Sequence, residues 1–303
     1  MKFLVVCGAT ASGKTALAVE CAKRLNGEII SCDALLVYRG LNIGTAKPSE
    51  EDRGGIPHYM IDVAEPTENF SVSDFERLAL PIAEDIIARG KTPILCGGTG
   101  FYMNALLYSH SYGNVPANAE IRARYERMAD ELGKDALFER LKEVDSESAQ
   151  ILHPNDTKRV IRALEIYEQT GRKKSEQQDG DVPRYDFTAV AFDYSREELY
   201  RRIRIRVEEM FRRRLVDEVK ALLESGVPEN AQCMQGIGYK EVVECLKNGD
   251  SQSTMCDIIE KNTRHYAKRQ LTFFKRTKNL SWIVPSENAV QEVISIYESG
   301  RAD

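Results

Sequence analysis

The chain has 303 residues, 42% of them hydrophobic and 29% charged, with a net charge of −5. That is the make-up of a globular protein that buries a sizeable core in one large domain or two smaller ones. No apolar run approaches the ~20 residues of a membrane span. The N-terminal residues read as a core strand rather than a cleavable leader, so a cytoplasmic location without membrane contact is expected.

The first strand candidate, Lys2–Cys7, runs into Gly8-Ala9-Thr10-Ala11-Ser12-Gly13-Lys14-Thr15, and a helical pattern follows over Thr15–Leu25. Further strands are expected at Glu28–Cys32, His58–Asp62 and Thr92–Cys96, and a helix at Val72–Arg89 that Gly90 ends. This alternation predicts an α/β fold: a P-loop parallel sheet core flanked by helices on both faces. A turn-prone stretch (Gly113, Asn114, Pro116, Asn118) then opens a run of helical patterns at 119–132, 134–143 and Thr157–Thr170, the last capped near Asn155-Asp156. With no strand pattern among them, and with the polar segment Lys173–Pro183 behind them, they read as an all-helical insertion domain at 113–186. The core domain is then 1–112 together with 187–303. In its second part a strand is expected at Phe187–Phe192 and a long helix at Arg196–Glu224. The stripe of that helix is Leu199, Ile203, Val207, Phe211, Leu215, Val219 and Leu222. A basic helix and a last strand, Ser281–Val284, close the pattern.

The loop at residues 8–15 has the form G-x-x-x-x-G-K-[ST] between a strand and a helix. Its glycines let backbone N–H groups converge on an anion, Lys14 adds a point charge, and the Thr15 hydroxyl can bind Mg²⁺. Asp33 follows the second strand on the same carboxyl rim, where a carboxylate can hold Mg²⁺, act as a general base or cap a turn. Gly97-Gly98-Thr99-Gly100 follows the fourth strand and suits close backbone approach to a ligand. No second rim carboxylate is evident there, which argues against hydrolysis of a nucleoside triphosphate.

Eight arginines lie between Arg196 and Arg214, offset by four glutamates. They read either as a salt-bridged face or, at Arg202 and Arg206, as a diphosphate clamp opposite the P-loop. From Lys261 to Lys278 there are seven Lys/Arg and no acid, so the rest of the chain carries −5 − 7 = −12. That tract interleaves cations with aromatics, as a nucleic-acid site does. A second basic cluster is Lys158-Arg159 with Arg162. The seven cysteines are odd in number and lack a C-x-x-C pair, so they indicate neither a zinc site nor a disulfide framework. Cys7, Cys32 and Cys96 read as reduced core thiols.

Taken together these segments resemble the tRNA dimethylallyltransferases, also called tRNA isopentenyltransferases, in their bacterial form. The resemblance rests on Gly8–Thr15, Ser31-Cys32-Asp33, Tyr38-Arg39, Ile43-Gly44-Thr45-Ala46-Lys47-Pro48, and His58 with Ile61-Asp62. It continues through Pro66, Phe70-Ser71, Phe75, Gly97-Gly98-Thr99, Tyr102, Asn155-Asp156, Arg159, Arg162–Glu165, Gly238-Tyr239-Lys240-Glu241 and Tyr266-Ala267-Lys268-Arg269-Gln270. It spans residues 3 to about 284. Phe273 stands where many members carry Trp, and no cysteine follows Cys256, so the zinc finger of some eukaryotic members is missing.

The resemblance implies transfer of a five-carbon group from dimethylallyl diphosphate to the 6-amino group of the adenosine 3′ to a tRNA anticodon, with release of diphosphate. It assigns Asp33 as general base and Thr10 to the bridging oxygen of the leaving group. Arg206 joins them in catalysis. Gly8, Ala9, Thr10, Ala11, Ser12, Gly13, Lys14, Thr15 and Arg202 are assigned to the diphosphate, with Mg²⁺ on Thr15. It implies contact with the tRNA anticodon arm through Asp33, Ala34, Leu35, Leu36, Thr99, Lys158, Arg159, Val160, Ile161 and Arg162. The same role falls to Gln235, Gly236, Ile237, Gly238, Tyr239, Lys240, Lys268, Arg269, Gln270, Phe273 and Lys275. A monomer is expected. A small-molecule or nucleotide kinase and a non-catalytic RNA-binding NTPase share the P-loop. The kinase predicts ATP consumption and leaves the acid-free basic tract unexplained.

Overall fold

The structure is a computed structural model that describes residues 2–109, 115–176, 182–277 and 279–300. The expected turn at Gly113-Asn114, part of the segment Lys173–Pro183 and the last cation of the basic tract, Lys278, lie outside the described residues. The chain divides into two compact units, one of residues 1–107 with 183–303 and one of residues 108–182. The crossings fall at 107/108 and 182/183, where the sequence pattern placed them at 112/113 and 186/187.

The first unit opens with β1 (Phe3–Cys7), α1 (Lys14–Leu25) and β2 (Gly27–Cys32). Next come α2 (Glu50–Arg53), β3 (His58–Tyr59), α3 (Val72–Ala88), β4 (Thr92–Gly97) and α4 (Gly100–Leu107). The second unit holds α5 (Ala119–Leu132), α6 (Lys134–Val144), α7 (Ser146–Ile151) and α8 (Thr157–Thr170). The chain then returns to the first unit with β5 (Phe187–Phe192), α9 (Arg196–Arg212), α10 (Leu215–Glu224) and α11 (Tyr239–Asn248). It finishes with α12 (Gln252–Phe274), β6 (Leu280–Ile283) and α13 (Ala289–Ser299).

The described strands form one parallel sheet in the order β3-β2-β4-β1-β5-β6. Every residue of β1 and β2 is buried, as a sheet covered on both faces requires. The register sets the site. Gly97 of β4 pairs with Cys7 of β1 on one side and with Cys32 of β2 on the other. Gly8, Asp33 and Gly98 therefore leave the sheet side by side on one carboxyl rim. A Cβ on Gly97 would lie 2.1 Å from the Cys32 carbonyl oxygen, so this register needs glycine there.

In the second unit, Leu137, Phe138 and Leu141 pack on Val160, Ile161, Ala163 and Leu164. The fully buried Glu165 ties α8 to α5, accepting from the guanidinium groups of Arg122 and Arg162 and from the Asn118 N–H. The regular elements of this unit are all helical among the described residues.

Three local readings of the sequence need correction. The third strand stops at Tyr59 because Met60 and Asp62 take φ values of 62° and 56°, which no strand accommodates. The long helix expected over Arg196–Glu224 is two helices, broken at Arg214 (φ 69°). Asp156 is the N-cap residue of α8 but caps it with no side-chain hydrogen bond; its carboxylate pairs with Arg159 at 3.3 Å instead. The cysteines are free, and Cys7, Cys32 and Cys96 are buried. Burial pushes the Cys7 thiol up to about 12 and Cys96 to about 11, so both stay protonated and inert.

Candidate active site

At the end of β1 the backbone turns through positive φ at Gly8 (131°), Ala11 (62°) and Gly13 (84°). Turns of this kind are the backbone form of an anion nest, in which neighbouring N–H groups converge on one hollow, although the Thr10 N–H is bonded to Gln270. No side chain caps α1, so the N–H groups of its first turn add to the same hollow. The Ser12 hydroxyl is buried beside it and has no partner among the described residues. Lys14 folds over the loop and donates to the Ala9 carbonyl at 2.6 Å. Burial pulls the Lys14 ammonium below its ordinary pKa, while the Asp33 carboxylate pulls it back up.

The arginine-rich helix uses its cations in two ways. Arg201, Arg204 and Arg212 pair with Glu198, Glu208 and Glu209 on an exposed face. Arg202 instead donates from Nε to the Ala11 carbonyl at 2.8 Å and lies over the Tyr194 ring, against the P-loop backbone. One turn on, Arg206 enters the cavity beside the P-loop and donates to the Thr45 carbonyl at 2.9 Å. Burial pulls the Arg206 guanidinium below its ordinary pKa, and Asp33 opposes this.

The loop that carries Thr45 is clamped from α10. The Glu218 carboxylate accepts from the backbone N–H groups of Asn42, Ile43 and Gly44 and from the Tyr239 hydroxyl. The left-handed turn at Arg214 re-aims α10 so that Glu218 reaches them. A non-glycine residue in that conformation costs about 1–2 kcal/mol, which the charge-assisted bonds of Glu218 offset. Gly44 lies flat on the Tyr239 ring, where a Cβ would come within 2.5 Å.

A cavity of ~360 Å³ opens between these parts. Thr10, Lys14, Thr15 and Arg206 line one side of it, and Asp33 and Tyr266 line it as well. Asp33 Oδ1 accepts from the Leu35 N–H at 2.9 Å, which fixes the carboxylate in an Asx turn. Asp33 Oδ2 accepts from nothing among the described residues. Thr99 braces this turn: its hydroxyl accepts from the Ala34 N–H at 3.1 Å, and its own N–H donates to the Cys32 carbonyl. Buried Gln270 bridges the rim. Its Oε1 accepts from the Thr10 N–H at 2.8 Å, and its Nε2 donates to the Gly98 carbonyl at 2.9 Å.

The residues expected at RNA divide by exposure. Lys158, Arg159, Lys240, Lys268, Arg269 and Lys275 are exposed. Leu35, Leu36, Gln235, Gly236 and Ile237 line the cavity with Ala34. Val160 and Ile161 point into the core of the second unit, and Arg162 is committed to Glu165 and the Val115 carbonyl. Tyr239 is fully buried under the Glu218 clamp, beside buried Gly238. Phe273 is half-buried, its ring packed on Gly100 and 6.1 Å from the ring of exposed Phe101. Sequence reasoning gave no role to Glu218, took Tyr266 only as an aromatic of the basic tract, and assigned Gln270 to RNA without its bonds to the P-loop and Gly98. A signal for α12 did exist. Ile259, Thr263, Tyr266 and Gln270 follow helical spacing, and all four line the cavity.

Fold and site define a P-loop α/β protein in which loop residues Thr10, Lys14 and Thr15 share one cavity with the Asp33 carboxylate. A family model described as IPP transferase matches residues 36–277. The chain is 44% identical over 287 residues to a tRNA dimethylallyltransferase of Acetivibrio thermocellus, covering 94% of this chain and 92% of the relative. It is 41% identical over 284 residues to one of Halalkalibacterium halodurans, covering 93% and 90%. Among solved structures, it resembles the full-length tRNA isopentenylpyrophosphate transferase of Bacillus halodurans with a TM-score of 0.73 at 38% identity, over 98% and 95% of the two chains. A eukaryotic dimethylallyltransferase acting on tRNA matches with a TM-score of 0.80 at 27% identity, over 97% of this chain and 77% of that one. The chain belongs to the IPP transferase family.

Proposed function

We propose that this protein transfers the dimethylallyl group of dimethylallyl diphosphate to the 6-amino group of the adenosine 3′ to the anticodon of tRNA. The observation that carries the reading is the single cavity in which the P-loop, Arg206 and the free oxygen of Asp33 meet. Family membership supplies the substrate class.

The chemistry follows from those groups. The N–H groups of residues 11–15 and the Ser12 hydroxyl seat the diphosphate, and Lys14, Arg202 and Arg206 offset its charge. As the bond between C1 and the bridging oxygen breaks, negative charge grows on the diphosphate, and donors already in place stabilise it without reorganisation. Thr10 donates to the bridging oxygen. A bond forms between N6 and C1, and Asp33 takes the N6 proton, a general-base role typically worth about 10²–10⁴ in rate. Extracting the base from its stack costs a few kcal/mol, less in a loop than in a duplex. The exposed cations Lys158, Arg159, Lys268 and Lys275 offset that cost by attracting the RNA backbone.

The donor set at the P-loop suits Mg²⁺. The Thr15 hydroxyl lines the cavity, oxygen ligands are what this ion takes, and it is bound mainly through substrate phosphates. Among the described residues no cluster of three or more His, Cys, Asp and Glu could hold a metal, so Thr15 and the diphosphate would carry it. When bound, the ion supplies further charge neutralisation of the leaving group. No described helix is long and apolar enough to cross a membrane. Action as a monomer on tRNA in the cytoplasm completes the proposal.

The test is incubation with dimethylallyl diphosphate and unmodified tRNA, without ATP. Mass spectrometry of the digested RNA is expected to show adenosine heavier by one five-carbon group. Absence of that product, with ATP turnover in its place, overturns the reading.

A further inference from the structure

We propose that the Tyr266 hydroxyl is a specificity-determining donor which, with the free oxygen of Asp33, reads the edge of the target adenine. This deepens the adenosine reading above and rests on it. Tyr266 lies on the cavity face of α12, between Thr263 and Gln270. The Arg269 guanidinium lies over the ring, 5.7 Å from its centroid. The hydroxyl has no hydrogen-bond partner among the described residues, whereas the Thr99 hydroxyl, the Gln270 amide and the Arg206 guanidinium at the same rim each have one. Burial raises the phenol above its ordinary pKa, and the nearby Asp33 carboxylate raises it further, so the group is an O–H donor at neutral pH.

The two groups match one base. Adenine carries its 6-amino donor between two ring acceptors, N1 and N7, whereas guanine carries an acceptor, O6, at the same place. An Asn or Gln amide reads adenine by accepting from N6 and donating to N7. Here the two halves of that contact come from different elements. The ionised carboxylate of Asp33 only accepts, and the phenol of Tyr266 donates. Guanine would set O6 against the carboxylate and leave it unpaired, and its N1 carries a proton, so only its N7 could still accept from Tyr266; sites built to hydrogen-bond their ligand reject such a mismatch strongly. The carboxylate that removes the proton thus also selects the base, and Tyr266 supplies the second point of contact that fixes the base's orientation.

The test uses the full chain, dimethylallyl diphosphate and anticodon stem-loop RNAs carrying adenosine, 7-deazaadenosine or 1-deazaadenosine at the target position. The deaza bases keep the amino group and each remove one ring acceptor. Wild type is expected to lose about tenfold in kcat/KM with one of the two analogues, which tells N7 from N1. Tyr266→Phe is expected to lose about the same factor on adenosine and nothing further with that analogue, the coupling expected of two partners in one bond. Its melting temperature and its affinity for inorganic diphosphate are expected to match wild type. Full activity of wild type with both analogues, or losses that multiply in the variant, overturns the proposal. The wild-type comparison decides even if the variant folds poorly. Failure of wild type to modify the adenosine RNA would instead overturn the function itself.

Discussion

Gln270 accepts a hydrogen bond from the backbone N–H of Thr10 at 2.8 Å, joining the basic C-terminal helix α12 to the P-loop across 260 residues of sequence. The other end of the same amide donates to the Gly98 carbonyl, and a Cβ on Gly98 would overlap it at 2.2 Å. One buried side chain thereby fixes Thr10 against the end of β4. The helix that presents Lys268 to solvent is the one that sets Thr10, the residue proposed to meet the leaving group.

Gln270→Glu keeps the acceptor for Thr10 and loses the donor to Gly98, leaving a carboxylate against a carbonyl and near the diphosphate. It is expected to lower kcat by roughly 10–100-fold, since a misplacement of the order of 1 Å at a reacting group costs about that much. The tRNA affinity is expected to stay within a factor of about three, because a buried side chain does not touch the RNA backbone. Steady-state kinetics and a direct tRNA binding isotherm check both.

Binding of tRNA is expected to weaken steeply with salt. Each of Lys268→Ala and Lys275→Ala should reduce the slope of log K against log[salt] by about 0.7–0.9, the share of one phosphate contact. Arg162→Ala should leave the slope unchanged and lower stability instead, because its guanidinium is bonded to Glu165 and the Val115 carbonyl. Titrations at several salt concentrations separate the two classes.

Acid stability should depend on Glu28. It is 1% exposed at the start of β2, where Arg89 bonds both its oxygens and Lys91 and Tyr59 add further bonds. The Arg89 bonds are the largest influence and hold the carboxyl down at about 2, against the opposing pull of burial. A carboxyl depressed in the folded state binds fewer protons there than in the unfolded chain. Its contribution is therefore complete above the ordinary value of 4.5 and is lost as pH falls from there through about 2. Glu28→Gln is expected to lower stability by about 1.5–3 kcal/mol at neutral pH and to flatten the dependence of melting temperature on pH across that window. Calorimetry from pH 7 to pH 2 measures it.

Much of this protein was legible in its sequence because the signals are local. The P-loop, the strands at Phe3–Cys7 and Phe187–Phe192, and the helices at Ala119–Leu132 and Thr157–Thr170 each follow from a short pattern of residues. The break at Arg214 was not legible, since no Gly or Pro interrupts the apolar stripe from Leu199 to Leu222. It is imposed from outside the helix, by Glu218 and three distant N–H groups. The helix at Gly100–Leu107 was hidden because Gly-Gly-Thr-Gly reads as a turn, yet buried Tyr102, Met103, Ala105 and Leu106 hold it. In the site, Asp33 and Arg206 could be named from their rim and helix positions. The work of Gln270, Glu218 and Tyr239 is tertiary, and no spacing in the chain reveals which backbone groups they meet.

In the proposed reaction Asp33 takes a proton from the base while the P-loop holds the leaving diphosphate. Asp33→Asn keeps the shape and the Asx-turn acceptor but removes the basic oxygen that faces the cavity. The direct measurement is its single-turnover rate with saturating dimethylallyl diphosphate and tRNA, alongside the affinity for each. A fall in rate of about 10²–10⁴ with both affinities near wild type is the expected result. A rate within about threefold of wild type would contradict it, because a lost general base costs far more than that.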